Sequence, residues 1–267
     1  MSEERYWRSA VSVVEERRVR VRGYDLESLI GRLTFADAAY LLIRGELPDA
    51  TQRRVLDAVL TSVLDYALQK PGTVAARFIT SANPSMAAAL AGAALAVGPH
   101  TLDPADTVAF AQSSVRAFAE SGKPLDEFAA SVVADLRARR ARVPGLGHPV
   151  FQRVDPRAAR LRQIAVDAGV WNEVGDVYEA IHRAFTALPG KEAIPINDVG
   201  MIGVVLAQLG FTAAESTGLA IVSTLPGVIA HVSEELDARK PIRVISPEHV
   251  DYEIEARELP EGWEYGK

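Results

Sequence analysis

The stretch that most restricts the folds compatible with this sequence is Pro144-Gly145-Leu146-Gly147-His148-Pro149-Val150-Phe151. It is followed shortly by Asp155-Pro156-Arg157. Its two glycines permit a tight turn and a close approach of the backbone to a bound group. Asp155 and Pro156 are typical of a helix start, with the aspartate as N-cap and the proline at the first helical position. The free N–H groups at that start, together with Arg153 and Arg157, predict a site for phosphate or carboxylate groups beside His148.

Outward from this loop the chain shows mainly helical periodicity, with apolar residues at three- and four-residue spacing. The predicted helical segments are 35–43, 51–68, 106–121, 125–140, 156–168, 174–187, 199–209, 213–221 and 227–238. Strand signals are few: residues 11–14 and 18–21 predict a short hairpin, and 242–245 predict an edge strand.

The alanine-rich segment 78–102 carries no charged residue, which raises the question of a membrane span. We interpret it instead as a helix buried on all sides of the protein, because alanine packs helices closely and has little affinity for lipid. We therefore expect no membrane partner.

The composition excludes several classes of protein. The chain has 267 residues, of which 48% are hydrophobic, so it can bury a core as one large domain or two small ones. Its net charge of -6 argues against nucleic acid as the main partner. It contains no cysteine, which excludes disulfides, thiol nucleophiles and cysteine–zinc sites and is compatible with the reducing cytoplasm.

Three further expectations follow from local patterns. The polar start Met1–Arg5 is followed by no apolar segment, so we expect no secretory signal. No group of histidine and acidic residues has the spacing of a metal site, so we expect no metal. Gly98-Pro99 and residues 197–200 bracket the middle third of the chain, which predicts a smaller helical domain (105–200) inserted into a larger one (1–104 and 201–267), with the site between them.

The order and spacing of several motifs resemble the citrate synthase superfamily, in particular its short citryl-CoA lyase type and the C-terminal module of ATP-citrate lyase. These motifs are Arg22–Leu26, Phe35–Leu42, Gly45–Pro48, Thr73–Arg77, Gly145–His148 with Asp155–Arg157, and Leu225–His231. The resemblance runs almost end to end. It implies an all-α homodimer whose large and small domains close over a cleft. It also implies a reaction that makes or breaks a carbon–carbon bond between an acyl-CoA and a keto acid.

The resemblance further implies roles for individual residues. His148 would donate a hydrogen bond to the keto or hydroxyl oxygen of the substrate, and Arg157 would contact a substrate carboxylate. Coenzyme A, as substrate or product, would lie against the loop containing Gly145, Leu146 and Gly147, with Arg153 near a phosphate. The remaining substrate-binding residues implied in this way are Asn197, Tyr66 and Arg243, the last of them supplied by the neighbouring subunit.

The chain departs from the family at its catalytic positions. Synthases carry a histidine where an ungapped alignment places Thr101. His100 lies one residue early, which on a helix end rotates a side chain by about 100°.

The family base is the aspartate of Asn-Val-Asp, whereas this chain has Asn197-Asp198-Val199. Asp198 is thus a candidate acid or base, with a helix N-cap or first-turn carboxylate as the alternative; His100 is a candidate ligand contact, with a helix-end cap as the alternative.

Other positions that bind substrate in the family are also changed. Tyr66 stands where the family has a histidine, and Thr224 stands where synthases have an arginine. Fewer carboxylate-binding groups argue against ordinary citrate as the substrate, since each lost charge-assisted contact costs on the order of 1.5–3 kcal/mol. We expect His231 to be a packed core histidine and His182 to be a surface residue of its helix.

We therefore predict a cytoplasmic carbon–carbon lyase that cleaves citryl-CoA, or an analogous 3-hydroxy-acyl-CoA, to an acyl-CoA and a keto acid such as oxaloacetate. The catalytic candidates are His148, Asp198 and His100. Two alternatives stay open: a protein of this fold that binds CoA esters without the usual catalysis, and a condensing synthase with an altered substrate.

Overall fold

The computed structural model describes residues 6–239 and 242–263; Met1–Arg5, for which we expect no secretory signal, lie outside them. Eleven α-helices lie in the described part of the chain. In order they are α1 (Leu26–Leu29), α2 (Phe35–Arg44), α3 (Ala50–Ser62), α4 (Pro71–Ala82), α5 (Met86–Leu95), α6 (Ala105–Ser121), α7 (Leu125–Ala138), α8 (Pro156–Asp167), α9 (Glu173–Thr186), α10 (Asp198–Gln208) and α11 (Ala213–Ala238). The all-α prediction is confirmed.

A small antiparallel sheet precedes the helices. Its strands are β1 (Ser12–Glu15), β2 (Arg18–Val21) and β3 (Tyr24–Asp25), in the order β1-β2-β3. The hairpin predicted for residues 11–14 and 18–21 is confirmed, with Ser12 opposite Val21 and Glu15 opposite Arg18. The edge strand predicted for residues 242–245 is wrong: this segment has no strand partner in the described structure.

Side-chain caps determine where several helices begin. Thr34, Asp49 and Thr212 each form a capping box at the start of α2, α3 and α11, respectively. Asp155 accepts a hydrogen bond from the backbone N–H of Arg157 at the start of α8, as its sequence predicts. Asn197 caps α10 in the same way. The starts of α8 and α10 are therefore fixed by polar side chains, and they meet at the candidate site.

The interpretation of residues 78–102 as one helix buried on all sides is wrong. Two helices, α4 and α5, cover most of this segment, separated by Asn83-Pro84-Ser85. A proline disfavours helical backbone at the residue before it, and Ser85 begins the next helix by accepting a hydrogen bond from the N–H of Ala88. Helix α5 buries Ala89 and Ala93 but leaves Leu95 87% exposed.

Two other helix predictions have different bounds in the structure. The predicted helix 51–68 ends at Ser62, and a loop with a single 3-10 turn at Ala67–Gln69 follows. The segments 213–221 and 227–238 are one helix, α11, with Pro226 inside it. Gly227 of α11 lies against that loop: a Cβ there would lie 2.9 Å from the Cβ of Asp65. This close approach places the loop of Asp65 and Tyr66 against the middle of α11.

The largest core cluster is centred on α10. Every residue from Gly200 to Ala207 is buried, and this helix contacts α3, α6, α8 and α9. An apolar helix buried on all sides is held by packing over its whole length, so the position of its first residues is fixed. The cluster includes Tyr40, Leu56, Val108, Leu161, Ile202, Phe211 and Leu219.

Two smaller clusters complete the core: one between α7 and α9, the other among α4, α5 and α11. By length and composition alone α11 is able to cross a membrane, but it packs against α3, α4, α5 and α6, as a core helix does. The division at residues 104/105 and 200/201 stays a prediction.

Glu235 of α11 joins three segments through one buried carboxylate. The residue is 3% exposed. It accepts hydrogen bonds from Arg77 of α4 at 2.7 Å and from Arg243 of the C-terminal segment at 2.6 and 2.7 Å. The bonds from Arg243 and then from Arg77 outweigh burial and hold the pKa of Glu235 below its usual value.

We predict that Glu235→Gln lowers the free energy of unfolding at neutral pH by about 2–4 kcal/mol, because it leaves two arginines without their carboxylate. The folded-state pKa lies below the unfolded value of about 4.3. The stabilisation is therefore complete above that pH and is lost as the pH falls through the folded pKa. Urea denaturation at neutral and acidic pH measures the difference, which should shrink in acid.

Glu234→Gln is the matched control, since this neighbouring carboxylate is exposed and reaches Arg77 at 3.1 Å. We expect it to cost less than about 1 kcal/mol. Equal losses from the two variants would contradict the assigned role of Glu235.

Candidate active site

Two adjoining cavities lie where the loop 144–151 meets the starts of α8 and α10. The first, here called the histidine cavity, has a volume of ≈ 370 Å³ and is lined by Asp65, Tyr66, Gln69, Lys70, His148, Arg157 and Asp198, among others. The second, the glycine cavity, has a volume of ≈ 380 Å³ and is lined by Asp106, Arg142, Gly145, Leu146 and Asn197, among others. The two share His100, Thr101, Leu102 and Val199, so one extended ligand is able to occupy both.

The glycine loop is fixed by backbone contacts with the segment before α10. The N–H of Asn197 donates to the carbonyl of Gly145 at 3.0 Å, and the N–H of Gly147 donates to the carbonyl of Pro195 at 2.8 Å. The amide of Asn197 also donates to the carbonyl of Gly147 at 2.8 Å. Asn197 therefore holds the loop while capping α10, in addition to lining the glycine cavity.

Gly145 is required by packing against the protein itself. Its φ is +78°, and a Cβ there would overlap the Cα of Gly200 and lie 2.6 Å from the hydroxyl oxygen of Tyr178. That hydroxyl donates to the carbonyl of Pro144 at 2.6 Å. The sequence suggested that the backbone approaches a bound group here; the structure shows that it approaches α10.

The hydrogen bonds of His148 define its protonation. Its Nδ1 accepts from the backbone N–H groups of Val150 and Phe151 at 3.1 and 3.0 Å. An imidazole nitrogen that accepts carries no proton, so the neutral ring has its proton on Nε2. Nε2 faces the histidine cavity, where the hydroxyl oxygen of Tyr66, 3.2 Å away, is able to accept its proton; Nη2 of Arg157, 3.1 Å away, is itself a donor and accepts none. His148 is thus held as a hydrogen-bond donor to that cavity.

Arg157 is positioned by a buried carboxylate. Asp155 is 1% exposed and accepts from the backbone N–H, Nε and Nη2 of Arg157 at 3.0, 3.1 and 2.8 Å. Burial alone raises the pKa of Asp155, but the hydrogen bonds from Arg157 outweigh it and hold that pKa below its usual value. The guanidinium also lies over the rings of Tyr66 and Phe151, 5.0 and 5.4 Å from their centroids.

Asp198 is the first residue of α10 and lines the histidine cavity. The N-cap alternative for this residue is wrong, since Asn197 takes that role; Asp198 is a first-turn carboxylate. Its Oδ2 lies 2.7 Å from Nη1 of Arg157, and its backbone N–H donates to Asp155 at 3.2 Å. Burial raises the pKa of Asp198 above its usual value despite the arginine. Val199 also lines both cavities, but only the aspartate is able to exchange a proton.

His100 lies on a turn rather than on a helix end. Gly98 and Thr101 exchange two backbone hydrogen bonds of 3.0 and 2.8 Å, with His100 at the tip. The side-chain rotation of about 100° expected for a helix end therefore does not apply to His100. His100 and Thr101 both line the two cavities, and the next residue, Leu102, has a φ of +64°, a backbone conformation that is unfavourable for a leucine.

Three of the predicted site residues, including Gly147 of the glycine loop, line neither cavity in this single chain. Arg243 is bonded to Glu235. Arg153 donates its backbone N–H to the carbonyl of Ala193 at 2.8 Å, and its side chain lines neither cavity. Their predicted contacts with substrate and with CoA stay predictions.

Several polar residues at the site escaped the sequence analysis. Lys70 lines the histidine cavity and donates a hydrogen bond to Thr224 of α11. Its sequence signal is weak: a lysine before a proline at a helix start.

Two histidines differ from their predicted environments. His231 is not a packed apolar core residue, since its Nε2 lies 3.2 Å from Oδ2 of Asp65. His182 is half-buried rather than on the surface, and it lies 2.9 Å from the carbonyl of Ile194.

Among residues 6–239 and 242–263, no cluster of three or more acidic or histidine side chains is arranged to hold a metal ion. The expectation that the protein uses no metal stays a prediction.

Comparisons with known proteins define the family to which this chain belongs. A family model described as citrate synthase, C-terminal domain, matches residues 4–63 and 49–245. A solved structure of citryl-CoA lyase from Hydrogenobacter thermophilus is 30% identical, with 96% of this chain and 98% of that chain covered at a TM-score of 0.87. The chain belongs to the citrate synthase family, as its motifs suggest.

Two more distant structures show the fold alone. An ATP citrate lyase from Methanosaeta concilii, in complex with (3S)-citryl-CoA, is 18% identical over 96% of this chain and 43% of that chain, at a TM-score of 0.79. Citrate synthase from Thermotoga maritima is 16% identical over 97% of this chain and 98% of that chain, at a TM-score of 0.57. A comparison with curated proteins finds no match.

We predict that Gly145→Ala lowers the free energy of unfolding by about 2–4 kcal/mol, because the added methyl group overlaps α10 and the positive φ disfavours alanine. Gly147→Ala is the matched control: its φ is +93°, but the nearest atom to an added Cβ is 3.9 Å away. It should lose only the conformational part, about 1–2 kcal/mol. Urea denaturation measures both, and equal losses would contradict the close-packing role of Gly145.

Proposed function

We propose that the protein is a carbon–carbon lyase of the citryl-CoA type. It cleaves citryl-CoA, or an analogous 3-hydroxy-acyl-CoA, to an acyl-CoA and a keto acid such as oxaloacetate. The observation that carries this proposal is the convergence of His148, Arg157 and Asp198 on one cavity. The fold supports it, because the chain matches 98% of the length of a citryl-CoA lyase at 30% identity.

Cleavage breaks the bond between the hydroxyl-bearing carbon and the α-carbon of the acyl-CoA, and it moves one proton from the hydroxyl oxygen to that α-carbon. His148 donates its Nε2–H to the oxygen, with the hydroxyl of Tyr66 beside it, and so stabilises the charge that develops there. Asp198, as a carboxylate released from Arg157, accepts the proton of the hydroxyl group and delivers it to the α-carbon. Its raised pKa suits this role, because a general acid works best when its pKa approaches the operating pH.

Arg157 binds a carboxylate of the substrate while Asp155 holds the other side of its guanidinium. In the structure described here, Nη1 of Arg157 is paired with Asp198. A substrate carboxylate that takes this donor releases Asp198 from the ion pair. Substrate binding therefore frees the proposed acid at the moment when it is needed.

Coenzyme A occupies the glycine cavity in this proposal, since the ATP citrate lyase of the same fold was solved with citryl-CoA bound. The backbone of Gly145 and Leu146 lines that cavity together with Arg142, which offers a cation to a CoA phosphate. The shared residues His100 and Thr101 place this ligand next to His148, so the thioester end reaches the proposed acid.

We also propose a homodimer, on the basis of large apolar side chains that one chain leaves exposed. Leu95 of α5 is the most exposed of these on the helices, and Ile242, Val244 and Ile245 add to it in the C-terminal segment. Apolar side chains that a dimer interface covers are removed from water, which favours association. A dimer is also the state in which Arg243 is able to reach a neighbouring site. Sedimentation equilibrium tests the dimer; a species of 28.8 kDa would exclude it.

We also propose a cytoplasmic location, which rests on the composition and is tested by cell fractionation.

One observation favours a second candidate, a CoA-ester-binding protein without the usual catalysis. The proposed acid is ion-paired to Arg157, and valine occupies the position of the family base. In this candidate the pair is permanent, and Asp198 takes no part in proton transfer.

The test is incubation of the purified protein with citryl-CoA, with oxaloacetate followed through malate dehydrogenase. We expect turnover, and we expect Asp198→Asn and His148→Ala each to lower kcat by about 10²–10⁴-fold, as loss of a proton-transfer or oxygen-stabilising group does. Asp126→Asn is the matched control, because its side chain is 90% exposed and far in sequence from the site. Binding of the CoA ester without turnover favours the second candidate, and an unaffected rate in Asp198→Asn removes this residue from the mechanism.

A further inference from the structure

Lys70 is a buried cation that the mechanism above does not use. It is 8% exposed, whereas the other lysines of the described chain, Lys123 and Lys191, are exposed. The following Pro71 favours extended backbone at Lys70, which has φ -88° and ψ 120° and directly precedes α4. From there the side chain reaches the wall of the histidine cavity and donates to the hydroxyl oxygen of Thr224.

The charge of Lys70 is incompletely compensated within the part of the chain that the structure describes. Its ammonium forms a hydrogen bond with one neutral hydroxyl and no ion pair with a carboxylate there, unlike Arg157 in the same cavity. An ammonium has three N–H donors, so two are left for a ligand. Burying a charge without a counter-charge is costly, and an anion bound in the cavity removes that cost.

The groups around Lys70 keep it protonated at neutral pH. Burial lowers the pKa of Lys70 to about 8, while the charges of Asp65 and Asp198 act in the opposite direction. Asp65 is itself bonded to His231 of α11, and Asp198 to Arg157 of α8. His148 and Tyr66 face the same cavity. Neither nearby carboxylate is therefore free of another partner.

We propose that Lys70 binds a carboxylate of the substrate, so that the histidine cavity holds two carboxylates at once, one on Arg157 and one on Lys70. This inference rests on the proposed function and specifies its substrate class: the keto-acid product is a dicarboxylate. It also corrects an expectation from the sequence. Thr224 stands where synthases have an arginine, but Lys70, which directly precedes α4, brings a cation to that residue, so a carboxylate-binding charge is retained.

The test uses two keto acids that differ by one carboxylate, oxaloacetate and pyruvate, with binding measured by isothermal titration calorimetry in the absence of CoA esters. We expect Lys70→Met to weaken oxaloacetate binding about 10- to 100-fold, the usual loss for one charge-assisted hydrogen bond, and to leave pyruvate binding within about twofold of wild type. Lys70→Arg keeps the charge and should bind oxaloacetate far better than Lys70→Met. Lys123→Met is the matched control and should bind as wild type does.

A pH series separates a charge effect from a change of shape. Wild-type affinity for oxaloacetate should fall as the pH rises through about 8, because Lys70 loses its proton, whereas Lys70→Arg should show no such fall. This comparison also decides the matter if Lys70→Met does not fold. The inference is overturned if wild type does not bind oxaloacetate, if Lys70→Met binds it normally, if both keto acids lose affinity equally, or if Lys70→Arg shows the same fall with pH.

The two proposals fail in distinguishable ways. Oxaloacetate binding that depends on Lys70, without cleavage of citryl-CoA, rejects the lyase and keeps the carboxylate site. Cleavage of citryl-CoA with unchanged KM and kcat in Lys70→Met keeps the lyase and rejects the role of Lys70.

Discussion

The buried carboxylate of Asp155 is the constraint on which the rest of the site depends. A carboxylate out of contact with water must be neutralised and hydrogen-bonded, and Asp155 meets this need with four donors. Three belong to Arg157 and one is the backbone N–H of Asp198. The same group therefore begins α8, aims the guanidinium at His148 and holds the start of α10. If the guanidinium of Arg157 turned away from the cavity, the buried Asp155 would lose its counter-charge and keep only two backbone N–H donors.

On the other side of the site, backbone hydrogen bonds and packing, rather than ion pairs, fix the positions of the functional residues. The glycine loop is bonded to the segment that leads into α10, and every residue of α10 from Gly200 to Ala207 is buried. Because Gly145 and Gly200 are in direct contact, the loop carrying His148 is in a fixed position relative to Asp198. Val150 and Phe151 then orient the imidazole through their N–H groups. A rigid backbone thus presents one donor, one acid and one cation to a common space.

Local sequence patterns predicted the parts of this arrangement that local forces determine. Asp155-Pro156 gives the start of α8 correctly, because capping and the fixed φ of proline act within a few residues. At α10 the predicted helix begins one residue late, at residue 199, because Asp198 is an equally suitable cap residue; in the structure Asn197 is the cap. Residues 78–102 were misjudged because the hydrophobic pattern outweighed a proline and a serine cap that divide the segment, and α11 was divided at Pro226, which the structure keeps inside the helix.

Contacts between distant segments could not be predicted in this way. Lys70 and Thr224 are 154 positions apart, and neither carries a pattern that points to the other. The pairing of Asp65 with His231 likewise depends on the packing of α11 against the loop after α3. The resemblance to the citrate synthase family located the site, but its changed positions suggested a loss of positive charge. Only the three-dimensional structure shows that Lys70, from a distant part of the sequence, brings a positive charge to Thr224.

The proposed chemistry requires that the fold holds His148 as an Nε2–H donor facing the cavity. The most direct measurement is ¹⁵N NMR of the histidine-labelled protein at neutral pH, with the His148→Ala variant used to assign the resonances. We expect a protonated Nε2 and an unprotonated Nδ1, because Nδ1 accepts two backbone hydrogen bonds. A proton on Nδ1, or exchange between the two tautomers, would contradict it, because the backbone N–H groups of Val150 and Phe151 would then not be holding the ring.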